Sequence, residues 1–210
     1  YDAILVKYNA LGNQLWNLTW GGSGHEWGFD VALDGNNDIY LAGETNSFGV
    51  GGYDAFLAKY NASGTQLWNV TWGGGNNDYG YGVAVDHNNN IYLVGTTTSF
   101  GAGSFDAFLV KYNASGTQLW NVTWGGSGDD RCNRVAVDGN NNVYLVGTTT
   151  SFGAGSFDAF LVKYDSSGNQ IWNVTWGVGN DDRSYKVAVD GNNNLYIVGY
   201  TYSFGAGSDD

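Results

Sequence analysis

Four acidic residues, Glu26, Asp78, Asp130 and Asp182, stand at equal spacing along the chain, and carboxylates converging on an axis are the chemistry of a Ca²⁺ site, which wants several hard oxygens at once. The reading favoured here is structural: a buried carboxylate that accepts backbone N–H bonds from a neighbouring turn is well satisfied without metal. Around these acids the chain places aromatic and charged side chains, His25-Glu26-Trp27-Gly28-Phe29-Asp30, Asn77-Asp78-Tyr79-Gly80-Tyr81, Asp129-Asp130-Arg131-Cys132-Asn133-Arg134 and Asp181-Asp182-Arg183-Ser184-Tyr185-Lys186. Such residues on loops held by a rigid frame make a binding surface, so His25, Glu26, Trp27, Asp78, Tyr79, Asp130, Arg131, Asp182 and Arg183 are the candidate ligand contacts. Drift on exposed loops is the competing explanation and the favoured one. A catalytic reading has only His25 with Glu26 and Asp30 to work with, and no nucleophile beside them. The chain is therefore expected not to be an enzyme.

The turn at Asp34-Gly-Asn-Asn-Asp38 and its equivalents at Asp86, Asp138 and Asp190 also alternate side-chain oxygens, as Ca²⁺ loops do. They lack the Gly and the Glu that an EF-hand loop needs, and Asn runs enter left-handed turns readily, so hairpin turns are expected. Cofactors are accordingly expected to be none, with Ca²⁺ the one to consider. Asn17, Asn61, Asn69, Asn113, Asn121 and Asn173 each begin an Asn-X-Ser/Thr sequon and are candidate glycosylation sites. The single Cys132 makes no intrachain disulfide, and with His25 and His87 it shows no zinc-ligand spacing.

Position and spacing make sense once the period is seen. The phrase [YF]DA[IF]L[VA]KY begins at Tyr1, Tyr53, Phe105 and Phe157, a period of 52 residues, giving repeats 1–52, 53–104, 105–156 and 157–208 of a single region 1–210. Asp209 and Asp210 fall where a fifth copy would start, so the chain reads as part of a longer surface protein. The second and third copies differ at 11 of 52 positions, and seven of these lie in residues 75–82 against 127–134. Within the third copy, four strand-like runs, Asp106 to Tyr112, Thr117 to Trp124, Arg134 to Asp138 and Val143 to Thr149, are separated by Gly-, Asn- and Ser-rich turns. Nothing reads as a helix.

Four short strands per period of this length form the blade of a β-propeller. The fold class expected is all-β, a propeller of four-stranded antiparallel blades, closed as a four-bladed ring or forming part of a larger one. Small residues Val135, Ala136 and Val137 suit the crowded strand nearest the axis, and Trp120 and Trp124 alternating with polar residues suit the outer edge. The chain then begins in mid-blade. Trp16, Trp20 and their counterparts are expected in packing between blades rather than as a sugar platform, and Lys7, Lys59, Lys111 and Lys163 in regular ion pairs or snorkelling positions.

The phrases DAFLVKYNASGTQLWNVTWGG and VAVDGNNNVYLVGTT resemble the SBBP-type β-propeller repeat of archaeal and bacterial surface proteins. The resemblance covers essentially every period, with Asn140-Asn141-Asn142 where such repeats often turn through Gly-Asn, and with a connector, SFGAGS, that lacks their frequent Pro. It implies the fold and carries no catalytic motif. A net charge of −12, from 20 acidic and 8 basic residues, repels phosphate backbones, so nucleic acid is excluded as a partner. No apolar run is long enough to span a bilayer. The function expected is a non-catalytic extracellular or cell-surface scaffold or adhesion module, partnered by further repeats, other copies, surface components or glycans. The alternative is a lectin-like ligand-binding propeller that uses the divergent segments, with or without Ca²⁺.

Overall fold

A computed structural model describes residues 1–205, and every regular element in it is a strand. Three sheets are complete four-stranded antiparallel blades. The first runs β3 (Glu26–Leu33), β4 (Ile39–Thr45), β5 (Asp54–Tyr60), β6 (Gln66–Trp72); the second β7 (Asp78–Val85), β8 (Ile91–Thr97), β9 (Asp106–Tyr112), β10 (Gln118–Trp124). The third runs β11 (Asp130–Val137), β12 (Val143–Thr149), β13 (Asp158–Tyr164), β14 (Gln170–Trp176). Two half-blades flank them, β1 (Ala3–Tyr8) with β2 (Gln14–Trp20), and β15 (Asp182–Val189) with β16 (Leu195–Thr201). These two pairs remain separate sheets, so among the described residues the ends do not pair into a four-bladed ring. Asp209 and Asp210 lie outside the described residues.

The strand order from axis to outer edge is the one the sequence leads one to expect, but the innermost strand is longer. It starts at the acidic residue, not four residues later: β11 begins at Asp130 and β7 at Asp78. Most of the divergent segment is therefore ladder, not loop. The physical reason is a bulge, since register shifts between Gly80 and Gly82, between Cys132 and Arg134, and at equivalent places in β3 and β15. An extra residue there keeps pairing on both sides while swinging the strand. The facing strand answers with Gly43, Gly95, Gly147 and Gly199, where any Cβ would collide with the backbone oxygen of Trp27, Tyr79, Arg131 or Arg183.

The core lies between sheets and not within one. One cluster joins Tyr40, Ala55 and Leu57 of the first blade with Val83, Leu93 and Phe108 of the second; another joins Tyr92 and Leu109 with Leu145 and Phe160. At the outer edge Trp72 lies against Phe108 of the next blade at 4.2 Å, and Trp124 against Phe160 at 4.4 Å. The indole N–H groups of Trp16 and Trp68 donate to Ala62 and Ala114 of the following blade, 3.3 and 3.2 Å away. Lys59 bridges in the same sense: its Nζ lies 3.0 Å from Asp38 and 3.6 Å from Asp34, and donates to the Ala114 carbonyl. The Trp residues thus take the inter-blade packing expected of them, whereas the ion pair expected to recur at the Lys positions is formed, among the described residues, by Lys59 alone, with Lys7 and Lys111 donating to the Ala62 and Ser166 carbonyls.

The Asn-rich turns are hairpins. Asn37, Asn89, Asn141 and Asn193 take φ of 59 to 63°, the left-handed conformation that Asn tolerates. Asp34 accepts from the backbone N–H of Asn36 and Asp38 and from the Tyr40 hydroxyl, all at 2.9–3.0 Å.

Candidate functional site

Glu26, Asp78, Asp130 and Asp182 open the innermost strands, and all four are fully buried. Each sits at its own blade junction. Asp78 accepts from the Gly74 N–H at 2.7 Å, from Ser99 Oγ at 2.7 Å and from the Thr97 hydroxyl; Asp130 accepts from Gly126, Ser151 and Thr149 in the same way. Glu26 accepts from Gly22 N–H and Thr45 Oγ1 at 2.9 Å, and Asp182 from Val178 N–H, Ser203 and Thr201. Burial opposes the charge of Glu26 and Asp182, yet these donors outweigh it and hold both pKa values below the usual carboxylate range. The four acids thus tie a Gly turn, a strand end and a Ser connector together. Among the described residues, no three His, Cys, Asp or Glu side chains come together to hold a metal ion.

A second acid stands across each of these turns, and comparison of spacing alone did not single it out. Gly73 is wedged between Asp54 and Asp78, and Gly125 between Asp106 and Asp130. Burial pushes the Asp54 carboxyl up to about 6, the Val50 N–H opposes that rise, and the charge of Asp78 adds to it.

The remaining candidates gather along one face. Tyr1 and His25 have ring centroids 5.1 Å apart, His25 and Trp27 6.1 Å, Trp27 and Tyr53 5.7 Å, Tyr53 and Tyr79 6.0 Å, and Tyr79 and Tyr81 6.1 Å. Phe29 meets Tyr81 edge-on at 5.3 Å. Trp27 and Phe29 are each 40% exposed, so the file borders solvent. In the third and fourth repeats guanidinium groups take the place of rings: Arg131 lies 4.0 Å over Phe105 and pairs with Asp129 at 3.0 Å, and Arg183 lies 4.0 Å over Phe157 and pairs with Asp181 at 2.9 Å. The structure therefore brings His25, Trp27 and Tyr79 into one aromatic file and puts Arg131 and Arg183 at the equivalent positions of the following blades, while Glu26, Asp78, Asp130 and Asp182 lie buried at the turns.

The bulged residues point elsewhere, to bonds between blades near the axis. Asp30 accepts from the Val83 N–H at 3.0 Å, Arg134 donates to the Tyr81 carbonyl at 2.6 Å and to that of Phe29 at 3.5 Å, and Asn133 donates to the Ser184 carbonyl at 2.7 Å. Divergence at these positions changes which cross-blade bonds form, and the segment is not free loop.

Glu44 escaped the sequence reading. It stands on β4 where the second and third repeats have Thr96 and Thr148, directly opposite Trp27 in register. It is 4% exposed, and its charge acts on Tyr79 and Tyr81 of the next blade. Burial pushes its carboxyl up to about 7 with no opposing donor or cation. A position-by-position comparison of the four copies would have found it, since it is an acid where the second and third copies have threonine.

Of the sequon residues, Asn17, Asn69, Asn121 and Asn173 are exposed on the outermost strands. Asn61 and Asn113 are half-buried, and their carboxamide oxygens accept from Ser63 and Thr65, and from Ser115 and Thr117, within their own turns.

Comparison with a repeat-family model agrees with this architecture. The model of the SBBP beta-propeller repeat matches three times, at residues 70–101, 123–153 and 176–205, each match running from an outermost strand into the inner hairpin of the next blade. An uncharacterized WD repeat-containing protein of Acanthamoeba polyphaga mimivirus is 26% identical over 197 residues, covering 70% of this chain and 14% of that protein. A protein of Caulobacter vibrioides described as regulatory protein FlaEY is 24% identical over 189 residues, covering 77% of this chain and 19% of its own length. The chain thus spans less than a fifth of either relative. Among solved structures, one described as the crystal structure of the eukaryotic initiation factor aligns with a TM-score of 0.48 at 11% identity, over 87% of this chain and 43% of that one. Taken with the repeated blades, the three family matches show that the chain carries SBBP beta-propeller repeats.

Proposed function

We propose that this chain is a non-catalytic scaffold module of an extracellular or cell-surface protein, in which blades stack edge to edge and present their outer strands as a display or adhesion surface. One observation carries the reading: positions sealed inside the central blades are bare at the two ends. Val94 and Val146 are 0% exposed, whereas Val198, one or two periods on, is 63% exposed; Phe56 and Phe108 are buried, whereas Ile4 in the same place is open. Inside the chain, β12 pairs with β13 from Val143↔Tyr164 to Thr149↔Asp158, and β8 pairs with β9 in the same register. β16 carries the same pattern as β12, and β1 the same pattern as β13, so the surface that fits either strand is a strand of this repeat type. The exposed rim residues Asn17, Asn69, Asn121 and Asn173 fit glycans without touching the core, which supports a surface location.

Sedimentation across a concentration series tests the end surfaces. Association that Val198→Lys weakens is the expected result; Val198 is open here, so its replacement leaves the fold intact. A chain that stays monomeric at all concentrations and carries no modification on the rim Asn residues of native material contradicts the scaffold reading. A second reading, ligand binding, is favoured by the half-exposed aromatic file from Tyr1 to Tyr81, which is concentrated in the first two repeats and is not needed for the blade packing described above.

A further inference from the structure

The third and fourth repeats show what this fold puts over an aromatic ring at the face: a guanidinium, seated 4.0 Å from Phe105 or Phe157 and neutralised by Asp129 or Asp181. The first two repeats have the rings without the cation. Tyr53 stands where Phe105 and Phe157 stand, and Trp27 and Tyr79 occupy the places of Arg131 and Arg183. What they have in addition is Glu44, opposite Trp27 on one blade and next to Gly43, whose carbonyl packs against Gly80 between Tyr79 and Tyr81 of the next.

Glu44 is 4% exposed and, among the described residues, has neither a hydrogen-bond donor nor a cation. A carboxyl in that condition carries a desolvation cost larger than that of the neutral hydroxyls of Thr96 and Thr148, which fill the same position in the next two repeats. Arg131, whose charge also acts on Tyr79 and Tyr81, does not serve it, being held by Asp129 at 3.0 Å. A chain of net charge −12 draws cations toward this face and repels anions. The occupant that answers rings, a lone acid and a negative field together is an organic cation with a flat, weakly hydrated head.

We propose that Trp27, Tyr53, Tyr79 and Glu44 form a receptor site for the guanidinium group of an arginine-bearing partner, which supplies in trans the cation that Arg131 and Arg183 supply within the chain. The site rests on the ligand-binding reading above and names its ligand class. The guanidinium stacks on the Trp27 and Tyr79 rings and the Glu44 carboxylate takes its N–H donors, so charge and planarity are both read.

Titration calorimetry on the full chain at physiological salt, with N-acetyl-arginine amide and its uncharged isostere N-acetyl-citrulline amide as probes, tests the proposal. The expected result is saturable binding of the arginine probe at least 10-fold tighter than the citrulline probe. Glu44→Thr, which installs the residue of the second and third repeats and so suits the fold, is expected to remove that preference. Tyr79→Arg, which gives the second repeat the cation of the third, is expected to block the site. No saturable arginine binding, equal binding of citrulline, or binding unchanged in Glu44→Thr would overturn it. A neutral hexasaccharide run in parallel separates the two levels: sugar binding lost in Trp27→Ala but kept in Glu44→Thr overturns the guanidinium assignment and leaves the ligand-binding reading standing. Failure of both probes removes both.

Discussion

The outer part of each blade and the beginning of its innermost strand obey different constraints, and the contrast runs through the whole molecule. At the outer edge Trp72 and Trp124 meet Phe108 and Phe160 at nearly one distance, 4.2 and 4.4 Å, and the indole N–H groups of Trp16 and Trp68 reach across to carbonyls of the next blade. Sequence there is copied because each blade is the mould for its neighbour, and a change in one residue leaves a void on the adjoining sheet. At the bulge of the innermost strand the copies part company: Tyr81, Asn133 and Tyr185 occupy one position, and Gly82, Arg134 and Lys186 the next. The extra residue of the bulge lets each blade make its own cross-axis bonds, so variation is tolerated without disturbing the ladder on either side. Identity marks where neighbours interlock, and difference marks where a blade is free to specialise.

The largest test of that contrast is Trp72→Ala. Removing a ring packed on Phe108 between two blades is expected to cost about 3–5 kcal/mol, read as a shift of the denaturation midpoint. A cost below about 1 kcal/mol would mean the outer interface is not the mould.

Glu44 comes next, and it acts in the opposite direction. Its carboxyl, near 4.5 when unfolded, is pushed up to about 7 in the fold, so the folded state holds the proton more tightly. Stability from this group is complete below about pH 4.5 and declines as pH rises through about 7, by at most about 3 kcal/mol. Asp54, raised from 3.8 to about 6, adds a decline of the same sign over a lower window. Glu44→Thr is therefore expected to raise the melting temperature at pH 8 and to flatten its fall between pH 4.5 and 7. Equal pH profiles for the two proteins would contradict the buried, unpartnered state of this acid.

A smaller effect is expected at the turns. Asn141→Ala forces alanine to hold φ near 62° and should cost about 1–2 kcal/mol, whereas Asn140→Ala beside it should cost less. The smallest belongs to the divergent face. Trp27→Tyr, a half-exposed ring exchanged for the type present in the second repeat, is expected to change stability by no more than about 0.5 kcal/mol. A large loss there would make the face a structural element and erase the distinction drawn from it.

Blade order and the mid-blade start were legible in the sequence because period 52, the small residues of VAVD and the alternation around Trp120 and Trp124 each report a strand's burial. The innermost strand was read four residues too short, since Gly80 and Gly82 look like loop residues and a bulge has no signature in one copy. Comparing copies located the divergent segment but not its secondary structure. The acids at the strand starts were read correctly as buried groups with local donors, whereas the second acids, Asp54 and Asp106, depend on which strand ends meet across Gly73 and Gly125. Glu44 was hidden because it sits in a strand the copies otherwise share, and its meaning comes from Tyr79 and Tyr81 on the next blade.

The central claim is that each 52-residue period contributes one radial sheet, offset from the repeat boundaries by half a blade, whose apolar faces are hidden only by the sheets beside it. Residue-resolved amide hydrogen exchange on dilute, monomeric chain tests it most directly. The account predicts slow exchange in β8, β9 and β12, each covered on both sides, and exchange faster by orders of magnitude in β16, whose faces and outer edge are open. Protection in β16 equal to that in β12 would contradict it, because the two strands share one sequence pattern and differ only in having neighbours.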